Sequence, residues 1–362
     1  MKIAVSVPEL ARELAFASRI APRKPALAAL GGVLLTAEPG VLTLAATDTE
    51  IAVRIRIPAQ VEHLGSALLP AQTFSDLVRT LSPGDVILAS DKAAVTVTAG
   101  AFRGRLPGLP ADDFPVLLEP QAAEAAMLPS ALVRAMVRRT RFATAEDERY
   151  YLLGAMIQAD GAVLRMVATD AKRLAVVEAA STVTVPETLL PKKALDALAS
   201  FAEGADDAVG LSVGENHIFL TVANRLLISR MVEGKYPAWR RLLPPEAPGY
   251  EVGRADLIAA IRRAGLVADA ETRHVRFALD AALNLASESS ASGRADETVP
   301  IVAQSGAEPR TFGLNVGFVG DFLDAAETDV VTVQQHADKG AVIWRERMPD
   351  AVYTYLTMPV LL

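Results

Sequence analysis

The stretch "VATDAKRLAVVEA", Val167 to Ala179, has a shorter echo in "AATDTEIAVRIRI", which begins at Ala45. Ala-Thr-Asp leads into a basic-and-apolar strand twice, with Asp48 and Asp170 standing 122 residues apart. Self-similarity at a fixed spacing marks a repeated structural unit. Three further segments open alike, as a short strand, a helix start and an amphipathic helix: "IAVSVPELARELAFASRI" from Ile3, "AMLPSALVRAMVRRTRF" from Ala126 and "YEVGRADLIAAIRRAGLV" from Tyr250. Leu10, Leu132 and Leu257 hold the same place in each, 122 and 125 residues apart. Pro8 falls near the first helical position, where a missing N–H costs nothing. Ser130 and Asp256 read as N-terminal end residues of the other two helices.

A second helix follows in each copy: "LLPAQTFSDLVRTL" from Leu68, "LLPKKALDALASF" from Leu189 and "FGLNVGFVGDFLDAAE" from Phe312. Pro70 and Pro191 open the first two. In the third copy Glu288 of "LASES" stands as a weaker form of the aspartate. Segments such as "AAVTVTAGAFRGRL" and "HIFLTVANRLLISRMV" alternate apolar and polar residues and read as strands. A unit near 120 residues is too long for a solenoid repeat. The expectation is an α+β chain of three tandem two-helix domains, at 1–120, 125–245 and 249–362, joined through "LEPQAAEAA" and "LPPEAPGY".

Composition sets the bounds. The chain has 362 residues, 51% hydrophobic and 22% charged, so each copy can bury a core. With aromatics at 5%, those cores are expected to be built from Ala, Leu and Val. No apolar run reaches the length of a membrane span, and Glu9, Arg12 and Glu13 interrupt what would be a signal's apolar region. The absence of cysteine removes disulfides, thiol nucleophiles and thiolate metal sites. A cytoplasmic protein with no membrane association is the simplest expectation.

Three tandem two-helix domains with "ATD…RLAV", "LPADDFP" (Leu109 to Pro115), "RYYLLG" (Arg149 to Gly154), "EGKYPAWRRLLP" (Glu233 to Pro244) and a C-terminal "MPVLL" resemble the bacterial DNA polymerase III β subunit family, the sliding clamps. The resemblance covers the whole chain in order. It implies a head-to-tail homodimeric ring in which twelve helices line a central hole and six sheets form the outside. It also implies a processivity factor with no catalytic site, metal or cofactor of its own. The ring would encircle double-stranded DNA without reading its sequence. A three-domain arc has two unlike ends, so its self-association is heterologous and must close to avoid filaments.

A clamp holds duplex DNA through phosphate contacts, which attract without specifying sequence. The net charge of −7 is atypical of a nucleic-acid binder, yet the first helices are basic. Glu9 to Lys24 carries four cations against two acids, Ser130 to Arg141 four arginines and no acid, and Arg254 to Gly265 three arginines against one acid. The second helices are neutral, neutral and acidic. Arg19 and Arg138 belong to this basic set, and Lys192 and Lys193 begin the second helix of the second copy. By resemblance Lys24 takes the place of a DNA-contacting arginine, Lys193 matches a family lysine, and Tyr150 and Tyr151 match a tyrosine pair near the DNA. Gln72 stands where a basic residue occurs in the family. For the two tyrosines, core packing is the competing reading.

The resemblance also implies a pocket for short peptides carrying a glutamine and bulky apolar residues. Leu152, Thr169, Ala171, Lys172, Arg173 and Leu174 would form one side, with Pro237, Arg241 and Leu242 beside them. The tail Leu356, Thr357, Met358, Pro359, Val360, Leu361 and Leu362 would complete it. The partners implied are the DNA polymerase III α subunit, the clamp loader and other proteins carrying the clamp-binding motif. Some positions depart from the family: Ala171-Lys172 replaces Gly-His, Leu361 replaces an arginine, and Gly104 falls where an aromatic is common at the dimer joint, with Phe102 two residues away on the same strand face. The acidic tract Ser287 to Glu297 is the expected partner of Arg103 and Arg105 at that joint.

No catalytic constellation accompanies these motifs. There is no G-x-x-x-x-G-K-[ST] loop, and His63, His217, His274 and His336 are scattered without ligand spacing. Thr-Asp after a strand is a common turn device, because Asp bonds its own backbone. Two alternatives stay open. A hydrolase or nuclease using Asp48 and Asp170 with Mg²⁺ predicts metal-dependent activity. A clamp-like interaction protein that no longer encircles DNA predicts no retention on circular DNA.

Overall fold

Each copy starts with a short strand that runs straight into a helix: Lys2–Ser6 into α1 (Val7–Ile20), Ala126–Pro129 into α3 (Ser130–Thr140) and Tyr250–Gly253 into α5 (Arg254–Val267). The second helices are α2 (Ala71–Arg79), α4 (Lys192–Phe201) and α6 (Val316–Ala325). The computed structural model describes residues 1–91, 94–120, 125–146, 152–201, 208–335 and 340–360. Leu10, Leu14 and Ala17 of α1 lie one turn apart and are fully buried, as an amphipathic helix requires. Pro8 occupies the first turn of α1 as read from the sequence. Pro70 and Pro191 sit one residue earlier than expected, outside α2 and α4, where they pair with Gly32 and Gly154 at the strand ends. Asp256 is not an end residue: Gly253 caps α5 and Asp256 is the acid of its first turn, placed to favour the positive helix end. Asn315 caps α6 by accepting from the Gly317 and Phe318 amides.

The chain divides into two compact units. One comprises Met1–Arg134 with Lys193–Met231, the other Ala135–Lys192 with Val232–Leu362. In the first unit an eight-stranded antiparallel sheet joins half of copy one to half of copy two. Its central seam is Ile51–Pro58 against Arg225–Arg230. A five-stranded sheet completes this unit and ends at the edge strand Phe102–Pro107. In the second unit a nine-stranded sheet joins the other half of copy two to half of copy three, through Arg173–Ala180 against Ala351–Thr357. A four-stranded sheet ends at the edge strand Gly293–Val299. The same joint is therefore made twice, once in each unit, between corresponding strands of successive copies.

The Thr-Asp repeat builds a hairpin turn at the end of each seam. Thr47 Oγ1 accepts from the Thr49 amide (3.0 Å) and donates to the Ile51 carbonyl (2.9 Å), while Asp48 Oδ1 accepts from the Glu50 and Ile51 amides (3.0 and 2.8 Å). Thr169 and Asp170 repeat all four bonds with Ala171, Lys172 and Arg173. Thr49 and Ala171 consequently adopt φ values of 79° and 71°. In the third copy Glu288 does not play the aspartate's part. It lies inside the strand Leu283–Ser289 opposite Arg294, and Ser289 makes the turn bond, to the Ala291 amide. Gly154, the last residue of "RYYLLG", marks a close backbone approach, since a Cβ there would lie 2.1 Å from the Leu190 carbonyl oxygen.

The aliphatic expectation for the cores holds only in part. The second unit concentrates aromatics: Phe322 packs on Trp344, Tyr353 and Tyr355, and Trp344 meets Phe277, which stacks on Phe312.

Candidate functional site

Within the second unit the Thr169–Arg173 turn, the segment around Trp239 and the end of the last strand meet. Leu152, Leu174 and Leu356 are buried together with Tyr236 and Trp239 in one apolar cluster, with Val232 and Leu243 packed against it. Strand pairing sets Leu174 opposite Leu356 and Arg173 opposite Thr357. Pro359 has no amide hydrogen to continue the ladder, and the strand ends at Thr357. The tail nevertheless stays attached: the Met358 amide donates to the Lys172 carbonyl (3.0 Å) and the Val360 amide to the Gly313 carbonyl (2.9 Å). "KYPAWRRLL" folds into a short 3-10 turn, Trp239–Leu242, with the Arg240 guanidinium 4.5 Å from the Trp239 ring centroid.

The residues expected at the pocket thus divide into a buried set and an exposed set. Leu152, Thr169, Leu174, Leu356 and Thr357 are buried. Ala171, Lys172 and Arg241 are exposed, Pro237 and Val360 half-buried, and Leu242 and Met358 are 52% and 50% exposed. Leu361 and Leu362 lie outside the described residues. Arg173 has a different place from the one expected. Its guanidinium turns into the fold, bonding Asp170, Asp321 and the Phe142 carbonyl and lying over the Phe142 and Phe318 rings. It fixes the turn rather than presenting charge at the rim. The sequence reading omitted Tyr236 and Trp239, the largest side chains of that apolar cluster. The signal was present as aromatics flanking Pro237 within the recognised motif. Burial pushes the Tyr236 hydroxyl above its ordinary range, against the opposing effect of the Thr169 backbone.

The basic residues are more engaged than their count suggests. In the first unit Lys24 is exposed in the loop after α1, Arg19 reaches Ser200 Oγ at 3.3 Å, and Lys193 bonds Asp48 (2.9 Å) and Glu50 (2.6 Å). Burial lowers the Lys193 pKa, but hydrogen bonds to Glu50 and Asp48 outweigh it and leave it raised. Gln72 donates to the Ser18 carbonyl and ties α2 to α1. In the second unit Arg138 pairs with Glu327 (2.5 Å) and Lys192 with Glu146 (2.8 Å). Arg139 is fully buried and bonds Glu346 (2.9 Å) and Glu327 (3.1 Å), so it contributes nothing to a basic surface. Arg254 donates to the Leu323 and Thr328 carbonyls at the end of α6. The helix count therefore overstates the exposed positive charge. Tyr150 and Tyr151 lie outside the described residues.

Among the described residues no group of three His, Asp or Glu is placed to hold a metal, and no helix is long and apolar enough to cross a membrane. Asp48 and Asp170 are engaged in their turns, as the turn reading of Thr-Asp requires.

Family models of the DNA polymerase III β subunit match in order: the N-terminal domain at residues 1–118, the central domain at 127–238 and the C-terminal domain at 240–361. The chain is 32% identical to the beta sliding clamp of Synechococcus elongatus and 30% identical to that of Escherichia coli K12. These alignments cover 99% of this chain and 99% and 100% of the relatives. A Pseudomonas aeruginosa DNA polymerase sliding clamp, solved in complex with griselimycin, superposes over the full length of both chains with a TM-score of 0.92 at 26% identity. The three-domain fold is that of the sliding clamps, whose role in DNA polymerase III is that of a non-catalytic processivity subunit. The repeated two-helix copies, the seams between them and these matches together place the chain in the bacterial DNA polymerase III β subunit, or sliding clamp, family.

Proposed function

We propose that two copies of this chain close head to tail around duplex DNA, and that short peptides of DNA polymerase III, a clamp loader and repair proteins dock at the Leu174–Leu356 pocket. The observation that supports the ring is the repetition of the seam. Corresponding strands of successive copies pair at two seams, and the next such pair is Phe102–Pro107 and Gly293–Val299, each an edge strand of its sheet among the described residues. In the ring a second chain pairs with each of these edge strands. Arg103 and Arg105 then run alongside the strand that holds Asp296 and Glu297. These acids are paired with Arg294 and Arg263 in the single chain and would exchange partners on closure. The Phe102 ring lies over Gly104, where a Cβ would approach its tip to 2.7 Å, and so supplies the aromatic surface that Gly104 lacks. Lys24, Arg19, Arg138, Lys192 and Lys193, with Tyr150 and Tyr151, are the proposed DNA contacts, and the cytoplasm is the proposed location.

The decisive test is topological. Loaded onto nicked circular DNA by a loader ATPase, the protein is expected to resist high salt and to fall off when the circle is cut. Unassisted binding should be weak and salt-sensitive. Salt-resistant binding that persists after linearisation would overturn the ring. The engagement of Lys193, Lys192 and Arg138 with carboxylates favours a second reading, a clamp-like protein that does not encircle DNA, which the same assay reveals as no retention at all. For the pocket, removing Met358 to Leu362 should abolish binding of a glutamine-containing apolar peptide while the dimer persists. Undiminished binding by the truncated chain would show that the pocket is misplaced.

A further inference from the structure

The repeat that pairs Leu174 with Leu356 at the proposed first pocket recurs in the first unit, where it borders a cavity. The Arg230 amide donates to the Glu50 carbonyl at 3.0 Å, as the Met358 amide donates to Lys172. Ala52 pairs with Ile228 as Leu174 pairs with Leu356. Leu109 bonds the Leu68 carbonyl as Val232 bonds that of Leu189, and Phe114-Pro115 follows as Tyr236-Pro237 does. Phe114 is buried with Ala45 and Leu68. An ion pair from Arg54 to Glu119 (2.7 Å) holds the far end of that segment. Between the Thr47–Ala52 turn, residues 115–118 and the end of the Arg225–Arg230 strand lies a cavity of about 230 Å³. Ile51, Ala52 and Ile228 form an apolar floor, and Val116 stands on the wall 97% exposed.

The two pockets differ in charge. Where the first presents Met358, the second presents Arg230, with His217 beside it. The Arg230 guanidinium makes no ion pair or hydrogen bond among the described residues. The one carboxylate of the lining, Glu50, is held by Lys193 at 2.6 Å. We propose that this cavity is a second peptide-docking site, selective for an extended segment with a bulky apolar anchor beside a carboxylate. The inference rests on reading the first pocket as a peptide site. The volume is below the ~300–1,000 Å³ of small-molecule sites and suits one or two side chains. A guanidinium at the rim of an apolar floor matches a carboxylate in charge and in its two-pronged geometry.

The test uses the full chain and two fluorescent peptides, each with two leucines and a phenylalanine, one flanked by glutamates and the other by glutamines. Wild type should bind two acidic peptides per chain. Arg230→Glu or Val116→Asp should remove one of them, weakening it at least tenfold. Met358→Asp with Leu242→Asp should abolish binding of the glutamine peptide yet keep one acidic peptide per chain. All these side chains are exposed, and unchanged thermal midpoints would confirm that the variants fold. A Met358/Leu242 double variant that binds no acidic peptide, or an Arg230→Glu chain that still binds two, overturns the second site. If the double variant leaves the glutamine peptide untouched while Arg230→Glu still removes an acidic one, the first site fails and the second stands.

Discussion

At the scale of single residues, the Thr-Asp turns carry a conformational cost. The four side-chain bonds of each turn hold Thr49 and Ala171 in the left-handed region, which disfavours residues with a Cβ by about 1–2 kcal/mol. Ala171→Gly should therefore stabilise the chain by about 1 kcal/mol, less whatever glycine's freedom gives the unfolded state. Thr49→Gly should gain at least as much, because a β-branched side chain is the poorer fit. Urea midpoints measure both, and a loss in either would show that the side chain makes a contact outweighing the strain. The turn itself was legible in the sequence, because threonine and aspartate after a strand have few other tasks. Arg139 was not. It is adjacent to Arg138 on α3, yet successive helix positions face different directions, and nothing local says which arginine turns inward. Its partner Glu346 is 207 residues away.

At the scale of elements, that buried pair ties α3 to the strand Val342–Arg347, and Glu327 ties in the segment after α6. Burial pushes the Glu346 carboxyl up, but the Arg139 hydrogen bond and the Glu327 and Thr328 amides together hold it below the usual carboxylate range. A depressed native pKa gives stability that is present above the unfolded value and lost as pH falls through the native one. Glu346→Gln should cost about 3 kcal/mol at pH 7, since it leaves the Arg139 charge buried with only Glu327 to oppose it. The gap between wild type and variant in urea midpoint should narrow as pH drops below about 4.5. A gap independent of pH would mean that packing, not charge, holds the joint. Helices and strands were readable from their periods. The sheets were not, because alternation says that a strand is half-buried and leaves its neighbour unstated. That is why the seams of Ile51–Pro58 with Arg225–Arg230 and of Arg173–Ala180 with Ala351–Thr357 emerge only in three dimensions.

At the scale of the molecule, the edge strands Phe102–Pro107 and Gly293–Val299 predict assembly. Native mass spectrometry at micromolar concentration should find two chains together, and a stable monomer would sink the ring. Arg103→Glu with Arg105→Glu should shift the population to single chains, because like charges would then face Asp296 and Glu297 across the joint. The family was legible in part because "ATD", "LPADDFP" and "KYPAWRR" build turns, where few residue types serve. The engagement of the basic residues was not, because composition counts charges without their partners. The seams have a further consequence, for the order in which the chain comes apart. The three copies are units of the sequence, each matched by its own family model. The sheets cut across them and divide the second copy between two bodies. Amide exchange protection should therefore follow the sheets, with Ile51–Pro58 and Arg225–Arg230 opening together although they belong to different copies. A fragment cut to the borders of the second copy would carry two half-sheets, each without its other half. The borders at which the chain is expected to come apart therefore run between its sheets, not between its three copies.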